Sequence, residues 1–184
     1  MRLLISHIAI VGVAATLLST LKDTTPSYAT LTGPIRTQGK QGEFVSGTMF
    51  GAKVGPVKMS KSIAFIQFGK PIERTTSGIW IVVSAQLQAF NETTHVRAAT
   101  ITGTSGRMYR QSSRAQGALS EKSVQPGLPT KGVFVFELPE SETSHMVLAL
   151  SQQYAPQLAD QLDILLEPDT SAPKAVLEIG KDGM

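Results

Sequence analysis

In Ile79-Trp80-Ile81-Val82-Val83-Ser84-Ala85-Gln86-Leu87-Gln88-Ala89-Phe90 the odd positions 79 to 89 are all apolar, while Ser84, Gln86 and Gln88 occupy even ones. A period of two marks a strand with one buried face and one largely wet face. Outward from this strand, short apolar runs separated by turn residues recur from about Gly42. Glu43 to Phe50 comes first, then Gly55 to Phe68, which is long enough to be bent or bulged. His95 to Gly103 and Arg107 to Ser112 flank Thr104-Ser105-Gly106, which reads as a hairpin turn with glycine at positive φ. Gly132 to Leu138 (GVFVFEL), His145 to Leu150 (HMVLAL) and Gln161 to Leu166 (QLDILL) complete about eight strands. Pro156 limits a helical turn at Gln153 to Leu158. This spacing predicts an all-β, two-sheet sandwich over residues 42–168. Ile81 and Val83 should point between the sheets with Leu148 and Ile164. Ser113 to Lys131 carries no strand signal and reads as a loop between sheets. In the polar tail, 169–184, the run Ala175 to Ile179 is either flexible or an added edge strand.

Upstream lies a different kind of segment. Leu3 to Leu21 is nineteen residues without a charge, between Arg2 and Lys22-Asp23. As a helix it would rise roughly 28 Å, close to the hydrocarbon thickness of a bilayer. Residues 1–22 therefore read as one N-terminal transmembrane helix, a signal anchor with its positive end in the cytoplasm. The alternative is a cleaved signal peptide, cut after Ala29 in Ser27-Tyr28-Ala29, which would make the protein secreted. The expected location is the bacterial inner membrane, single pass, with the C-terminal domain in the periplasm or extracellular space. Residues 23–41, rich in Thr, Gly and Pro, read as a polar linker.

The chain has 184 residues, 41% hydrophobic and 17% charged, so it can bury one core without staples. It has no cysteine, which excludes disulfides, a lipid-modified cysteine, a thiol nucleophile and cysteine-held metal. Net charge is +3, unevenly spread. Residues 30–115 hold eleven Lys/Arg against three Glu, and residues 116–184 hold four against ten Asp/Glu. The positives are scattered and lack interleaved aromatics, so no nucleic-acid partner is expected. Strands from the two halves should instead pair, making opposite charges neighbours. The other reading is an electrostatic dipole used to dock a partner or an anionic surface.

Three stretches carry a family resemblance. They are Thr76-Ser77-Gly78-Ile79-Trp80-Ile81-Val82-Val83, then Gly103-Thr104-Ser105-Gly106-Arg107-Met108-Tyr109, and Gln125-Pro126-Gly127-Leu128-Pro129 followed by Gly132 to Pro139. Together with the export segment and linker, this layout resembles the bacterial immunoprotective extracellular, immunoglobulin-like group, and more narrowly its uncharacterised membrane-anchored relatives. The resemblance covers roughly Gly42 to Glu167. It implies an immunoglobulin-like sandwich, an extracytoplasmic location and no established activity.

Chemistry-bearing groups are sparse. Glu137, Glu140 and Glu142 cluster around Pro139, and Asp160 and Asp163 begin the Gln161 to Leu166 run, but solvated carboxylates are the default at strand ends. Nucleophilic catalysis would need Ser or Thr beside His and an acid, and no Gly-x-Ser-x-Gly elbow exists. His95, His145, Met59, Met108 and Met146 are the ligand types of a periplasmic copper carrier. Met146 also shares a face with Leu148 and Leu150 and reads as core. Asn91-Glu92-Thr93 is a glycosylation sequon, relevant only in a host that glycosylates. Trp80 and Phe90, with Tyr109, Arg107 and Arg110, form a candidate interaction surface, because Trp, Tyr and Arg anchor interfaces. Alternatively Trp80 and Phe90 pack under the Ser113 to Lys131 loop or the tail. The expected function is a non-enzymatic, membrane-tethered module, without cofactor or metal, binding an envelope protein. A periplasmic small-ligand or copper carrier is the alternative.

Overall fold

A computed structural model describes residues 2–115, 117–168 and 173–180, and it divides into residues 1–33 and 34–184. In the first unit, α1 (Arg2–Thr24) is followed by the short turn α2 (Tyr28–Leu31), capped by the Ser27 side chain. Among the described residues no helix is long and apolar enough to cross a membrane. Within residues 3–9, on which much of the anchor expectation falls, only His7 belongs to the residues whose side chains are described.

Among its described residues, the second unit is a β-sandwich of ten strands. These are β1 (Ile35–Lys40), β2 (Phe44–Ser46), β3 (Phe50–Gln67), β4 (Lys70–Ala89), β5 (Ala98–Thr102), β6 (Met108–Arg110), β7 (Thr130–Leu138), β8 (Met146–Ser151), β9 (Asp160–Leu166) and β10 (Lys174–Ile179). One sheet runs β1-β9-β8-β5-β6. The other runs β10-β3-β4-β7, with β2 paired to β3.

The alternation in β4 sorts its side chains as expected. Ile79, Ile81, Val83, Ala85, Leu87 and Ala89 are buried in the core between the sheets, which also contains Leu148 and Ile164. Trp80 and Val82, on the opposite face, belong to a second apolar cluster with Ile63, Phe65, Ala115, Val133, Val135 and Leu177. The half of β4 that is apolar at every position is thus covered on both faces, and the half with Ser84, Gln86 and Gln88 on only one. Gly106 takes φ 82° in the turn before β6, as expected. The run Gln153 to Leu158 forms bends rather than a helical turn.

Boundaries differ from the sequence reading, beyond the split of the expected Glu43 to Phe50 strand into β2, a turn and the start of β3, in two places. First, Ile35–Lys40, inside the stretch read as linker, is a strand parallel to β9. Its residues are exposed or half-buried, so it is held by pairing and has no apolar period to read. Second, the polar residues Lys70 to Ser77 extend β4 into a hairpin arm with β3, turned at Phe68 and Gly69, both at positive φ. That is the backbone of a two-residue hairpin turn, with an exposed Phe at its first position. In the tail, the structure meets one of the two expected alternatives: Lys174–Ile179 is an added edge strand parallel to β3. Residues 169–172 and 181–184 of the tail lie outside the described residues.

The expected loop before β7 is anchored in the main core by Leu119, in a 3-10 turn, and by Val124, which is bridged to Thr94; both are fully buried. The expectation that strands of the basic and acidic halves pair and bring opposite charges together is met at Arg36–Asp163, across β1 and β9, whereas Lys61–Glu140 and Arg114–Glu137 each involve a residue outside the strands. Such surface pairs stabilise by about 0–1 kcal/mol each and mainly set register.

A stronger tie joins the two sheets. Asp160 at the start of β9 accepts the backbone N–H of Thr48 and of Met49, at 2.7 and 2.6 Å. Asp160 is buried, and a Cβ at Gly47 would collide with its carboxylate, so the turn between β2 and β3 is moulded around this group. Asp160→Ala should destabilise the sandwich by about 2–3 kcal/mol, because two amides lose a charged acceptor. A urea titration that gave an unchanged midpoint would contradict this.

Candidate functional site

The five residues of the expected interaction surface do not form one patch. Trp80 is fully buried. Its indole N–H donates to the Arg74 carbonyl at 3.1 Å, and the Arg114 guanidinium lies 5.1 Å from its ring centre. Arg114 is itself held. Its Nη1 reaches both Glu137 oxygens at 3.0 Å, and its Nη2 donates to the Thr75 carbonyl. The backbone N–H of Ser112 donates to the Val135 carbonyl and lays this segment along β7. Trp80 therefore packs under the start of the long loop, the alternative reading, and is removed from the exposed surface.

Arg107, Tyr109 and Arg110 belong to the other sheet. Tyr109 is half-buried against the main core, and Arg110 stacks over Tyr154 at 4.4 Å. Arg107 lies in the β5–β6 hairpin, which Glu142 latches by accepting from the Ser105 N–H at 2.9 Å and the Ser105 hydroxyl at 2.6 Å. Those bonds, led by the hydroxyl and helped by the Arg107 charge, hold the Glu142 carboxyl below its ordinary value of 4.5. A lowered folded-state value means that the latch stabilises fully above about pH 4.5 and is lost as pH falls through the folded value. The Ser105 amide proton resonance should titrate with a midpoint below 4.5, and Glu142→Gln should abolish that step. A midpoint above 4.5 would contradict the latch.

The copper ligand set is not assembled either. His145 precedes the first residue of β8, whereas His95 follows Thr94, whose hydroxyl accepts from the Gln152 amide just past the end of β8. Six residues of strand separate the two ends, roughly 15–20 Å. Met146 is fully buried in the core, and Met108 is exposed on β6. No group of three or more His, Cys, Asp or Glu side chains is placed to hold a metal among the described residues.

Phe90, the remaining residue, leads to a surface that sequence reasoning missed. Phe90 and Phe44 both close over Gly51, whose Cβ would strike their rings, and Phe44 remains 45% exposed. Registers then place a row across four strands on the same outward face: Phe44 opposite Lys53, Lys53 opposite Gln86, Gln86 opposite Lys131. Neighbouring strands lie about 4.8 Å apart, so the two lysine Cα atoms are roughly 10 Å apart. Beside the row, the register shifts between Val54 and Val57, a bulge containing Gly55 and Pro56, where proline has no N–H to leave unpaired. The bulge opens a hollow of about 290 Å³ lined by Lys53, Gly55, Pro56, Ser84, Ala85, Gln86, Lys131 and Gly132. Among the described residues no carboxylate lines it. Among the described residues neither Lys53 nor Lys131 forms an ion pair. The readable signal was the wet set Ser84, Gln86 and Gln88. Its lysine neighbours depend on register, which a single strand cannot reveal.

No protein-family model matches the sequence, and no curated protein matches it. Among solved structures, the chain is similar to MPT63, a secreted protein from Mycobacterium tuberculosis, at 19% identity and TM-score 0.51, over 73% of this chain and 98% of that one. It is also similar to an uncharacterised β-sandwich protein from Clostridium difficile, at 13% identity and TM-score 0.49, over 78% and 100% of the two chains. The yjhA protein from Bacillus subtilis matches at 14% identity and TM-score 0.49, over 68% and 99%. The MPT63 likeness is one of fold, and it agrees with the β-sandwich part of the expected resemblance.

Proposed function

We propose that this protein is a non-enzymatic, immunoglobulin-like module, tethered outside the cytoplasmic membrane by Leu3 to Leu21, that binds another protein of the cell envelope. The observation that carries the reading is how the polar groups are used. Asp160 and Glu142 hold a turn and a hairpin in place, Glu137, Glu140 and Asp163 are ion-paired to Arg114, Lys61 and Arg36, and one half of a sheet face stays open. Catalysis by paired carboxylates needs them free in a cleft, and these are engaged in holding the fold.

The strand order supports the immunoglobulin-like assignment. β4 pairs with β7 in one sheet, and β5-β8-β9 are consecutive in the other, as strands B and E, and C, F and G, are in that fold. The tether rests on the uncharged run within one continuous helix, Arg2–Thr24. Within it the hydroxyls of Thr16, Thr20 and Thr24 donate to the carbonyls of Gly12, Leu17 and Thr20, which reduces their polarity toward the surroundings. The secreted nature of MPT63 is in keeping with a sandwich that works outside the cytoplasm.

Crosslinking in intact cells, followed by carbonate washing of the membranes and mass spectrometry, tests both halves. The full chain should stay with the washed membrane, because a bilayer-spanning helix is not released by alkali, and should carry a specific envelope protein. Release into the carbonate supernatant would contradict the tether. Absence of any crosslinked partner would contradict the module.

A further inference from the structure

We infer that the open half of the β2-β3-β4-β7 face binds an acidic, extended polypeptide segment of the partner. This deepens the module reading and rests on it, since it names the surface and the chemistry that surface takes.

Lys53 and Lys131 flank Gln86 in register on the outward face. Among the described residues no carboxylate lines the hollow between them, although the chain carries fourteen Asp and Glu. The ion pairs seen among the described residues lie elsewhere. An uncompensated cationic strip of this kind favours carboxylates and disfavours basic partners.

The rest of the row selects among anions. Phe44 and Phe90 close one end with aromatic surface, and Ser84 and Gln86 supply hydroxyl and amide groups in the hollow. A phosphate ion would use the lysines and leave the Phe44 ring idle. An extended peptide has carboxylates for the lysines, backbone amides for Gln86 and an apolar side chain for Phe44. Its alternate side chains fall about 6.6 Å apart, so acids two to four residues apart can meet the two lysines roughly 10 Å apart. Lysines bind as point charges on flexible stems, so the recognition should be salt-sensitive rather than geometrically strict.

The test uses the full chain in nonionic detergent micelles and a fluorescein-labelled decapeptide with Leu, Glu, Glu and Glu at successive alternate positions and Ser between them, so that the Leu and the acids share one face of the extended chain, read by anisotropy. The peptide should bind saturably, and the same decapeptide with Lys in place of each Glu should not. Lys53→Gln combined with Lys131→Gln should weaken binding about tenfold, a loss expected when partnering charges are removed. Phe44→Ala should weaken it severalfold, while Lys70→Glu on the distant hairpin arm should leave it unchanged. Melting curves of each variant separate lost binding from lost folding. No saturable binding, or binding indifferent to the double lysine change, would overturn the inference. Displacement by inorganic polyphosphate at equal charge, with no effect of Phe44→Ala, would also overturn it, by showing a general polyanion site. If the peptide fails to bind but cells still yield a crosslinked partner, the assignment of this face falls and the module reading stands. Peptide binding without any partner in cells would support the face and sink the module.

Discussion

Val83→Asp leaves no folded sandwich. Val83 is fully buried at the middle of β4, in register with Val57 on one side and Phe134 on the other, and all three belong to the main core. A carboxylate there has no donor in the apolar cluster and must either lose its water or take up a proton. Either route costs several kcal/mol, against a total stability of about 5–15 kcal/mol for a domain of this size. Circular dichroism of the variant should show no cooperative melt. A wild-type melting curve would mean that Val83 faces water, which would invert every side chain on β4 and exchange the two apolar clusters.

Trp80→Ala should be the next most damaging change, at about 3–5 kcal/mol. It empties the largest fully buried side chain, removes the donor to the Arg74 carbonyl and deprives Arg114 of the ring it stacks on. The damage should be to folding alone. After correction for the folded fraction, acidic-peptide binding should be unchanged, because Trp80 lies under the loop and away from the Lys53–Gln86–Lys131 row. A fully stable Trp80→Ala protein that had lost partner binding would return Trp80 to the interaction surface.

These two residues also show how far the sequence could be read. The odd positions of Ile79 to Phe90 gave a correct core face, because burial of one face leaves a period that local residues alone must carry. Trp80 and Val82 were ambiguous for the same physical reason. An apolar residue on the second face signals a cover but does not say whether that cover is loop, tail or partner. Both loop and tail contribute to that cluster: Ala115, with Arg114 stacked on Trp80 and paired to Glu137, comes from the loop, and Leu177 comes from the tail strand β10.

Ile35–Lys40 escaped detection because an edge strand paired parallel to β9 is specified by its neighbour's backbone, and none of its residues is buried. The Lys53–Lys131 row was invisible for a related reason. Its members lie 78 positions apart in the chain and meet only through the register of β3 and β7 on β4. Phe44 lies in an expected strand, and its exposure follows from the alternation that sends Val45 into the core and leaves Phe44 opposite Lys53 on the outward face, where Gly51 leaves room for its ring.

The most direct measurement is site-resolved photo-crosslinking in living cells, with a photoreactive residue placed in turn at Gln86, Gln88, Thr104 and Gln153. The first two stand on the open half of the β2-β3-β4-β7 face, and the last two lie outside that sheet, in the β5–β6 turn and in the bends after β8. The account predicts one adduct of discrete mass from Gln86 and Gln88 and none from Thr104 or Gln153. Adducts from Thr104 or Gln153 alone, or equally from all four positions, would contradict it.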